Sequence, residues 1–431
     1  MPRRINREDD FGALIFLPIV LVLFYGFSKS ITSNLDQIWQ GEPVYELFKF
    51  DFASTLHSPE IFAPAPTSSN RNVQRLPNII LIHADALRAD RLDAYKNPRN
   101  VTPFADTLIK NGATHFLYSF SNCSESICGF SSVLNSSFEL HGASNGLLER
   151  LTSQGYFTNF IGTGDLNHAG LNTFFNNRVD NFLRADQSEN YYKHDDRFIL
   201  KTLHSFPKYQ DIPTFFYLRL MSSHPLGSHR DKFKKYAPVP GSLFSIFFGK
   251  SSYEQLVNAH DNMAHQFDAY LADIFAIFGK KGFLDNTIVV IYGDHGDAMG
   301  EHEQIGHYQS LYNEEIHVPI IFWTSRNIKL NLKSNQFSTL MDIAPTLLYS
   351  LELNVPSNYL GYPLQILKNK KGALLNNKRG DRGLIFQQEG ALFKIINKKN
   401  GETLVFDLIN DFDEKIDLSK SRLDLAKKFD E

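Results

Sequence analysis

The sequence has few cysteines and no excess of charge of either sign. Only two cysteines, Cys123 and Cys128, occur among its 431 residues, which excludes a disulfide scaffold and a cysteine-based zinc cluster. Lysine and arginine total 44 against 47 aspartate and glutamate residues, so the net charge is −3. This balance excludes a general polyanion-binding surface, and we expect no nucleic-acid partner. Hydrophobic residues, at 42%, are sufficient for a globular core.

One uncharged apolar run lies near the N-terminus, at residues 11–27. Its length is at the short end of what spans a bilayer, and three arginines precede it. The positive-inside rule predicts a cytoplasmic tail at residues 1–10 and a transmembrane signal-anchor at 11–28, so the membrane is an expected partner. The rest of the chain would then lie in the periplasm, the cell exterior or an organelle lumen. A cleaved signal peptide and a buried helix are the alternatives. Residues 29–76 contain a segment rich in Pro, Ser and Asn and are predicted to form a spacer.

Apolar runs alternate with amphipathic segments from residue 77 onward. The runs are typical of buried parallel strands, and they cover residues 78–84, 214–220, 287–292 and 318–323. Helical spacing covers residues 102–111, 253–278 and 340–351. The alternation predicts an α/β fold with a mostly parallel sheet over residues 77–365. Shorter strand-like runs predict a small antiparallel subdomain over residues 366–431.

Two clusters of candidate metal ligands follow predicted strands. An open parallel sheet binds its ligands beyond the carboxyl ends of its strands. Asp85 follows the first strand, and Asp294 with His295 follows the strand at 287–292. Carboxylate and imidazole together suit zinc or manganese better than calcium. A helix N-cap for Asp85 and a surface loop for Asp294 and His295 are the alternatives.

Two further clusters contain hydroxyl groups and a histidine. Residues 122–136 place small hydroxyl residues before an apolar helical stretch, and a helix N-terminus there can hold an anion. A metal bound to one of these oxygens would make it a nucleophile, whereas plain N-capping is the alternative. His224 follows the strand at 214–220. It can donate to an anion or protonate a leaving group, or it is an ordinary loop histidine.

These four clusters, in this order, resemble the sulfatase-like branch of the alkaline phosphatase superfamily. The segment PNIILIHADALRADRL resembles the start of sulfatases, and IVVIYGDHGDAMGEHEQIGHYQSLYNEEIHVPIIFW resembles the second hallmark of the family. MDIAPTLL and LVFDLINDFDEKIDLS are similar to its C-terminal pattern, so the resemblance covers residues 77–420. It implies an alkaline-phosphatase-like fold and metal ligands at Asp85, Asp294 and His295. The lipid phosphoethanolamine transferases of the family imply a phosphate contact at His307.

The sequence departs from the sulfatase pattern at the nucleophile. Sulfatases have Cys-x-Pro-Ser-Arg, whose Cys becomes formylglycine, but Cys123 begins Cys-Ser-Glu-Ser-Ile, without the Pro or the Arg. The spacing of the Ser/Thr enzymes of the superfamily implies Ser126 as the nucleophile, with Ser124 and Cys123 as alternatives. The related transferases often have a disulfide around the nucleophile, which implies a Cys123–Cys128 bond here. Two buried free thiols are the alternative.

We therefore expect a membrane-anchored enzyme that acts on a phosphoester through a covalent phosphoseryl intermediate, by hydrolysis or by transfer. One divalent metal is expected, zinc or manganese in preference to calcium, with the ligands Asp85, Ser126, Asp294 and His295. The expected catalytic residues are Ser126, His224 and His307. The expected substrate-binding residues are Arg88 and His302, and Asp297 and His302 are spare metal ligands.

Three other functions stay open at this point. The first is a true sulfatase that uses Cys123, and the second is a catalytically silent binding protein at the membrane surface. The third, a cytoplasmic phosphatase, fails if residues 11–28 span a membrane. The substrate can be a phosphorylated or sulfated lipid, glycan or small molecule.

Overall fold

The computed structural model describes residues 76–138, 146–188, 191–242, 245, 251–366 and 372–426. The predicted cytoplasmic tail and signal-anchor, and all but the last residue of the predicted spacer, lie outside these residues. Within the described part of the chain, no helix combines the length and the apolar character needed to cross a membrane.

Strands and helices alternate along the described chain. The strands are β1 Asn78–Ala84, β2 Thr114–His115, β3 Tyr118–Phe120, β4 Phe157–Gly162, β5 Asn181–Arg184, β6 Thr214–Leu220, β7 Thr287–Gly293, β8 Ala298–Met299, β9 Ile305–Gly306, β10 Ile320–Thr324, β11 Phe337–Thr339, β12 Ala373–Asn376, β13 Arg382–Gln388, β14 Ala391–Asn397 and β15 Thr403–Asp407. The helices are α1 Pro103–Lys110, α2 Ser126–Asn135, α3 Leu147–Ser153, α4 Arg197–Ser205, α5 Tyr253–Lys280, α6 Asn313–Ile316, α7 Ile343–Ser350 and α8 Leu423–Ala426. The predicted mixed α/β architecture is therefore confirmed.

A seven-stranded sheet in the order β2-β10-β7-β1-β6-β4-β5 forms the centre of the fold. Strands β7, β1, β6, β4 and β5 are parallel, whereas β10 pairs with both β7 and β2 in the antiparallel sense. Every residue of β1, β6 and β7 is buried, because helices cover both faces of the sheet. Strand β1 is central, with Ala84 opposite Leu220 of β6 and Gly293 of β7. The chain segments that follow these three strands therefore leave the sheet side by side.

Alternate side chains of β1 enter two different cores. Ile79 and Leu81 pack on the face that carries α2 and α7, while Ile80 and Ile82 pack on the face that carries α1, α4 and α5. The longest of these helices, α5, begins with a capping box in which the Ser252 side chain accepts from the Gln255 N–H, which satisfies one of the free donors at the helix start.

A four-stranded antiparallel sheet, β12-β13-β14-β15, follows the central sheet in the chain, in agreement with the predicted C-terminal arrangement. It is bonded to the loop before α2, since Asn376 N–H donates to the Asn122 carbonyl at 2.9 Å and the Asn122 side chain donates to the Leu374 carbonyl at 2.8 Å. A fully buried ion pair joins Lys394 Nζ and Glu414 Oε1 at 2.6 Å. The C-terminal sheet thus supports the segment that contains the predicted nucleophile.

Candidate active site

Asp294 lies at the carboxyl end of β7 with its carboxylate fixed by the backbone. Its Oδ1 accepts the N–H of Ala86 at 3.0 Å and the N–H of His295 at 2.9 Å. Burial acts to raise the pKa of Asp294, but His295 and His83 outweigh it and hold the pKa well below its usual range. The carboxylate is therefore ionised, and its second oxygen is left for another ligand.

Asp85 lies beside it, at the end of β1. Its backbone N–H donates to the Leu220 carbonyl at 3.0 Å, and its Oδ2 pairs with Nη2 of Arg219 at 2.5 Å. Burial and the nearby Asp294 act to raise the pKa of Asp85. Arg219 and His224 outweigh them, so the pKa lies below its usual value and Asp85 is also ionised. Arg219 was not predicted as a site residue, although an arginine within the otherwise apolar run of β6 was a usable signal.

His295 presents a free lone pair to both carboxylates. Its Nδ1 is 2.8 Å from the Gly296 carbonyl, and because a carbonyl only accepts, Nδ1 carries the proton. The other nitrogen, Nε2, lies 3.7 Å from Asp85 Oδ1, 3.7 Å from Asp294 Oδ2 and 3.2 Å from Ser126 Oγ. The Ser126 hydroxyl consequently donates to Nε2. Three of the predicted metal ligands and the predicted nucleophile are thus brought together.

The donor set fits a divalent cation. Asp85 Oδ1 is buried without a hydrogen-bond partner among the described residues. Asp294 Oδ2 has His83 Nε2 as a neighbour at 3.0 Å, and one atom from each of these three side chains lies within 4.8 Å of the others. Burying ionised oxygens without partners is costly, and a cation would remove that cost. Carboxylate oxygen and imidazole nitrogen are ligands of zinc and manganese. His83 was not predicted as a site residue, although it is a polar residue in a buried strand.

The segment before α2 positions the hydroxyl groups. Cys123 and Cys128 form a disulfide with a Cα–Cα distance of 6.0 Å, so the free-thiol alternative is wrong. Ser124 is fully buried, whereas Ser126, the first residue of α2, is half-buried. A Cβ on Gly129 would lie 2.8 Å from Asp294 Cβ, so the absence of a side chain there lets α2 approach Asp294. Ser126 is therefore the hydroxyl that is both close to His295 and open to a substrate.

His224 and His307 lie next to the same cluster with opposite nitrogens protonated. The Leu226 N–H donates to Nδ1 of His224 at 3.0 Å, so the neutral His224 carries its proton on Nε2, which is 3.9 Å from Asp85 Oδ1. His307 donates from Nδ1 to Asp297 Oδ1 at 2.9 Å. Its ring centroid lies 4.2 Å from that of His295 and 5.7 Å from that of His224. Burial lowers the pKa of His224 to about 4 and lowers that of His307, so both rings are neutral near pH 7.

Asp297, predicted as a spare metal ligand, faces histidines with both oxygens. Oδ1 accepts from His307, and Oδ2 lies 3.2 Å from Nε2 of His260. His260 lies on α5 and is buried, and it was not predicted as a site residue. In this arrangement Asp297 orients His307.

The two predicted substrate-binding residues are held by protein partners. Arg88 is buried and donates to Asp90 at 2.9 and 2.8 Å, to Glu301 at 2.9 Å and to the Asp297 carbonyl at 3.0 Å. His302 bonds Glu314 Oε1 at 2.7 Å and stacks on Tyr312 at 3.8 Å. Their roles in substrate binding stay predictions.

The chain also matches a known protein family. The family model described as "Sulfatase" matches residues 77–352. The chain belongs to the sulfatase family. This confirms the resemblance to sulfatases that the sequence motifs indicated.

Individual relatives of this sulfatase-family chain cover parts of it or share its fold. Arylsulfatase K of Mus musculus is 34% identical over 111 residues, which are 26% of this chain and 20% of the mouse protein. The chain thus spans about a fifth of the length of the curated relatives it matches. The structure of the phosphonate monoester hydrolase of Agrobacterium radiobacter is 16% identical with a TM-score of 0.61, covering 82% of this chain and 94% of that one. The C-terminal periplasmic domain of EptC from Escherichia coli, also solved with zinc, is 17% identical with a TM-score of 0.57, covering 76% and 96%.

Proposed function

We propose that this sulfatase-family chain is a metal-dependent phosphoester hydrolase or phosphotransferase whose nucleophile is Ser126. The observation that carries the proposal is the contrast between the two candidate nucleophiles. Cys123 Sγ is bonded to Cys128, whereas Ser126 Oγ lies 3.2 Å from His295 Nε2. A cysteine in a disulfide has no thiol for conversion to formylglycine, so the sulfatase route through Cys123 requires that the bond be opened first.

Side chains of the chain supply the metal ligands and the nucleophile of the proposed reaction. Asp85, Asp294 and His295 would hold one zinc or manganese ion, which supplies positive charge that favours the Ser126 alkoxide and polarises the ester. Ser126 Oγ attacks phosphorus, so that an Oγ–P bond forms and the bond to the leaving oxygen breaks. A phosphoseryl group results, and water or an acceptor alcohol then releases it.

The two neutral histidines fit complementary roles in that step. His224, with its proton on Nε2, donates a hydrogen bond to a non-bridging phosphoryl oxygen. His307 has Nε2 left to take up the proton that Ser126 Oγ releases, since Nδ1–H is bonded to Asp297, and the Asp297 carboxylate stabilises the imidazolium that forms. His307 then delivers this proton to the leaving oxygen. General acid–base assistance of this kind is typically worth about 10²–10⁴-fold.

We further propose that the catalytic part lies outside the cytoplasm, anchored by residues 11–28. The disulfide supports this, because disulfides persist mainly in oxidising compartments. The similar EptC structure is described as a periplasmic domain. A membrane location favours a lipid or an envelope glycan as the substrate, over a freely diffusing small molecule.

Mass spectrometry of the protein after incubation with phosphate esters and zinc or manganese tests the nucleophile. We expect a phosphoryl adduct on Ser126, no adduct and no turnover in Ser126→Ala, and substantial phosphoesterase activity in Cys123→Ser. Ser124→Ala is the matched control, since it removes a neighbouring hydroxyl that is buried. If Cys123→Ser is inactive while Ser126→Ala cleaves aryl sulfates, the chain is a sulfuric ester hydrolase that uses Cys123.

A further inference from the structure

A chain of buried polar groups runs from the core of the sheet to Asp294. The Tyr292 hydroxyl donates to the Tyr217 hydroxyl at 2.8 Å, and the Tyr217 hydroxyl lies 3.0 Å from Nδ1 of His83. Nε2 of His83 is in turn 3.0 Å from Asp294 Oδ2. All four side chains are fully buried. Phenylalanine rings surround them, for example Phe130, stacked 5.3 Å from Tyr217. Polar groups in such surroundings are costly unless each has a partner, so the order of their protons is constrained.

The direction of the hydrogen bonds fixes which ring nitrogen of His83 accepts. The Tyr292 hydroxyl donates to Tyr217, and the proton of Tyr217 then has Nδ1 of His83 as its acceptor. Nδ1 therefore accepts, and an imidazole whose Nδ1 accepts carries its proton on Nε2. This nitrogen consequently faces the Asp294 carboxylate with a proton and has no lone pair for a metal. His295 has the opposite arrangement, with Nδ1–H bonded to the Gly296 carbonyl and Nε2 free.

We propose that His83 is a positioning residue for the metal ligand Asp294, held in the required tautomer by Tyr217 and Tyr292, and that His295 alone supplies imidazole nitrogen to the metal. The backbone N–H groups of Ala86 and His295 hold Oδ1 of Asp294, and the Nε2–H of His83 attracts Oδ2 from the sheet side. Hydrogen-bond donors on both oxygens thus fix the orientation of the Asp294 carboxylate, and Oδ2 keeps a lone pair for a cation. This inference rests on the proposed metal site. Partners that orient metal ligands in this way typically change metal affinity by about 10–100-fold.

Zinc binding by the full chain, measured by competition with a chelator, tests the proposal. His83→Phe removes the donor at similar bulk and should weaken zinc binding by about 10–100-fold while one zinc still binds. His83→Gln keeps an N–H donor at the same reach and should retain most of the affinity. Tyr217→Phe removes the proton that fixes the tautomer and should weaken binding in the same direction. Tyr156→Phe is the matched control, because Tyr156 is buried in the same core cluster but bonds the Pro77 carbonyl.

Cobalt substitution separates a positioning role from direct ligation. The absorption spectrum of the cobalt-loaded protein reports the ligand set, and it should be the same in wild type, His83→Gln and His83→Phe. A spectrum in His83→Gln that shows the loss of a nitrogen ligand would make His83 a ligand and overturn the proposal, as would unchanged zinc affinity in His83→Phe. If the wild-type chain binds neither zinc nor manganese, the proposed metal site fails as well. Circular dichroism of each variant shows that it is folded, and His83→Gln provides the test if His83→Phe is not.

Discussion

Replacing Gly129 by alanine should move Ser126, the proposed nucleophile, away from the proposed metal ligands. The new Cβ would lie 2.8 Å from Asp294 Cβ, 3.3 Å from its carbonyl oxygen and 3.4 Å from its Cα. The first of these must open from 2.8 to 3.4 Å, about 0.6 Å, to become an ordinary contact. Because the obstacle is the root of a fixed side chain, helix α2 has to move. A comparable displacement of Ser126 would take its 3.2 Å contact with His295 beyond hydrogen-bond range.

The expected loss of turnover is large compared with the loss of stability. A misplacement of about 1 Å can cost on the order of 10²-fold in rate, so we expect Gly129→Ala to lower kcat by about tenfold to a hundredfold. Overpacking costs about 1–3 kcal/mol in the free energy of unfolding, which the better helix propensity of alanine offsets by about 1 kcal/mol. The assay is hydrolysis of an aryl phosphate with saturating zinc, next to denaturant unfolding.

Gly279→Ala is the matched control for this substitution. Gly279 is also helical, near the end of α5, and its new Cβ would meet only Leu284 Cδ1, at 3.7 Å. We expect its turnover to stay at the wild-type value and its stability to be unchanged or higher. Wild-type kcat in a folded Gly129→Ala variant would refute the argument that the approach of α2 to Asp294 sets the position of the nucleophile.

Three further predictions concern the metal, the leaving group and acid stability. Asp294→Ala should remove most bound zinc or manganese by elemental analysis, because it deletes an ionised ligand; retention of full stoichiometry would contradict the assigned site. His307→Ala should lower turnover by about 10²–10⁴-fold at unchanged metal content, and full activity would exclude it from proton transfer. Burial lowers the pKa of His317 from the ordinary 6.5 to about 4, so below pH 6.5 the unfolded chain binds the extra proton and stability falls with acidification, by up to about 3 kcal/mol. His317→Gln should reduce the change of the denaturation midpoint with pH between pH 4 and 6.5. An unchanged pH dependence would contradict a buried neutral His317.

The central strands and the polar residues that directly follow them could be predicted from the sequence. Strands buried on both faces read as continuous apolar runs, and the polar residue after each run must leave the sheet. Asp85 and Asp294 were found in this way. The structure places them on neighbouring strands, β1 and β7.

The partners inside the sheet could not be predicted in this way. His83 and Arg219 lie in apolar runs, and the residues they contact, Tyr217 and Asp85, are each 134 positions away in the chain. Only the register of β1 against β6 brings them together. The contact between Asp297 and His260 could not be predicted for a similar reason, since His260 lies on α5, 37 positions away in the chain.

The direction of β10 was also not encoded in its own residues. An apolar run fits a parallel or an antiparallel neighbour equally well. A parallel return from β7 usually needs a crossover helix, and the helix described between β7 and β10 is the four-residue Asn313–Ile316. The chain returns antiparallel instead.

The position of β1 in the middle of the sheet has a consequence for synthesis of the chain. Its two neighbours are made much later: β6 begins at Thr214, 136 positions after Asn78, and β7 begins at Thr287, 209 positions after it. At about 5–20 residues per second, a ribosome needs on the order of ten to forty seconds to add the 209 residues up to β7. Throughout that interval the seven-residue strand β1 lacks at least one of its two neighbours, and Asp85 and Asp294 cannot yet meet. Neither the finished sheet nor a bound metal can therefore shield this strand during synthesis, and such long-range pairing also makes spontaneous refolding slow.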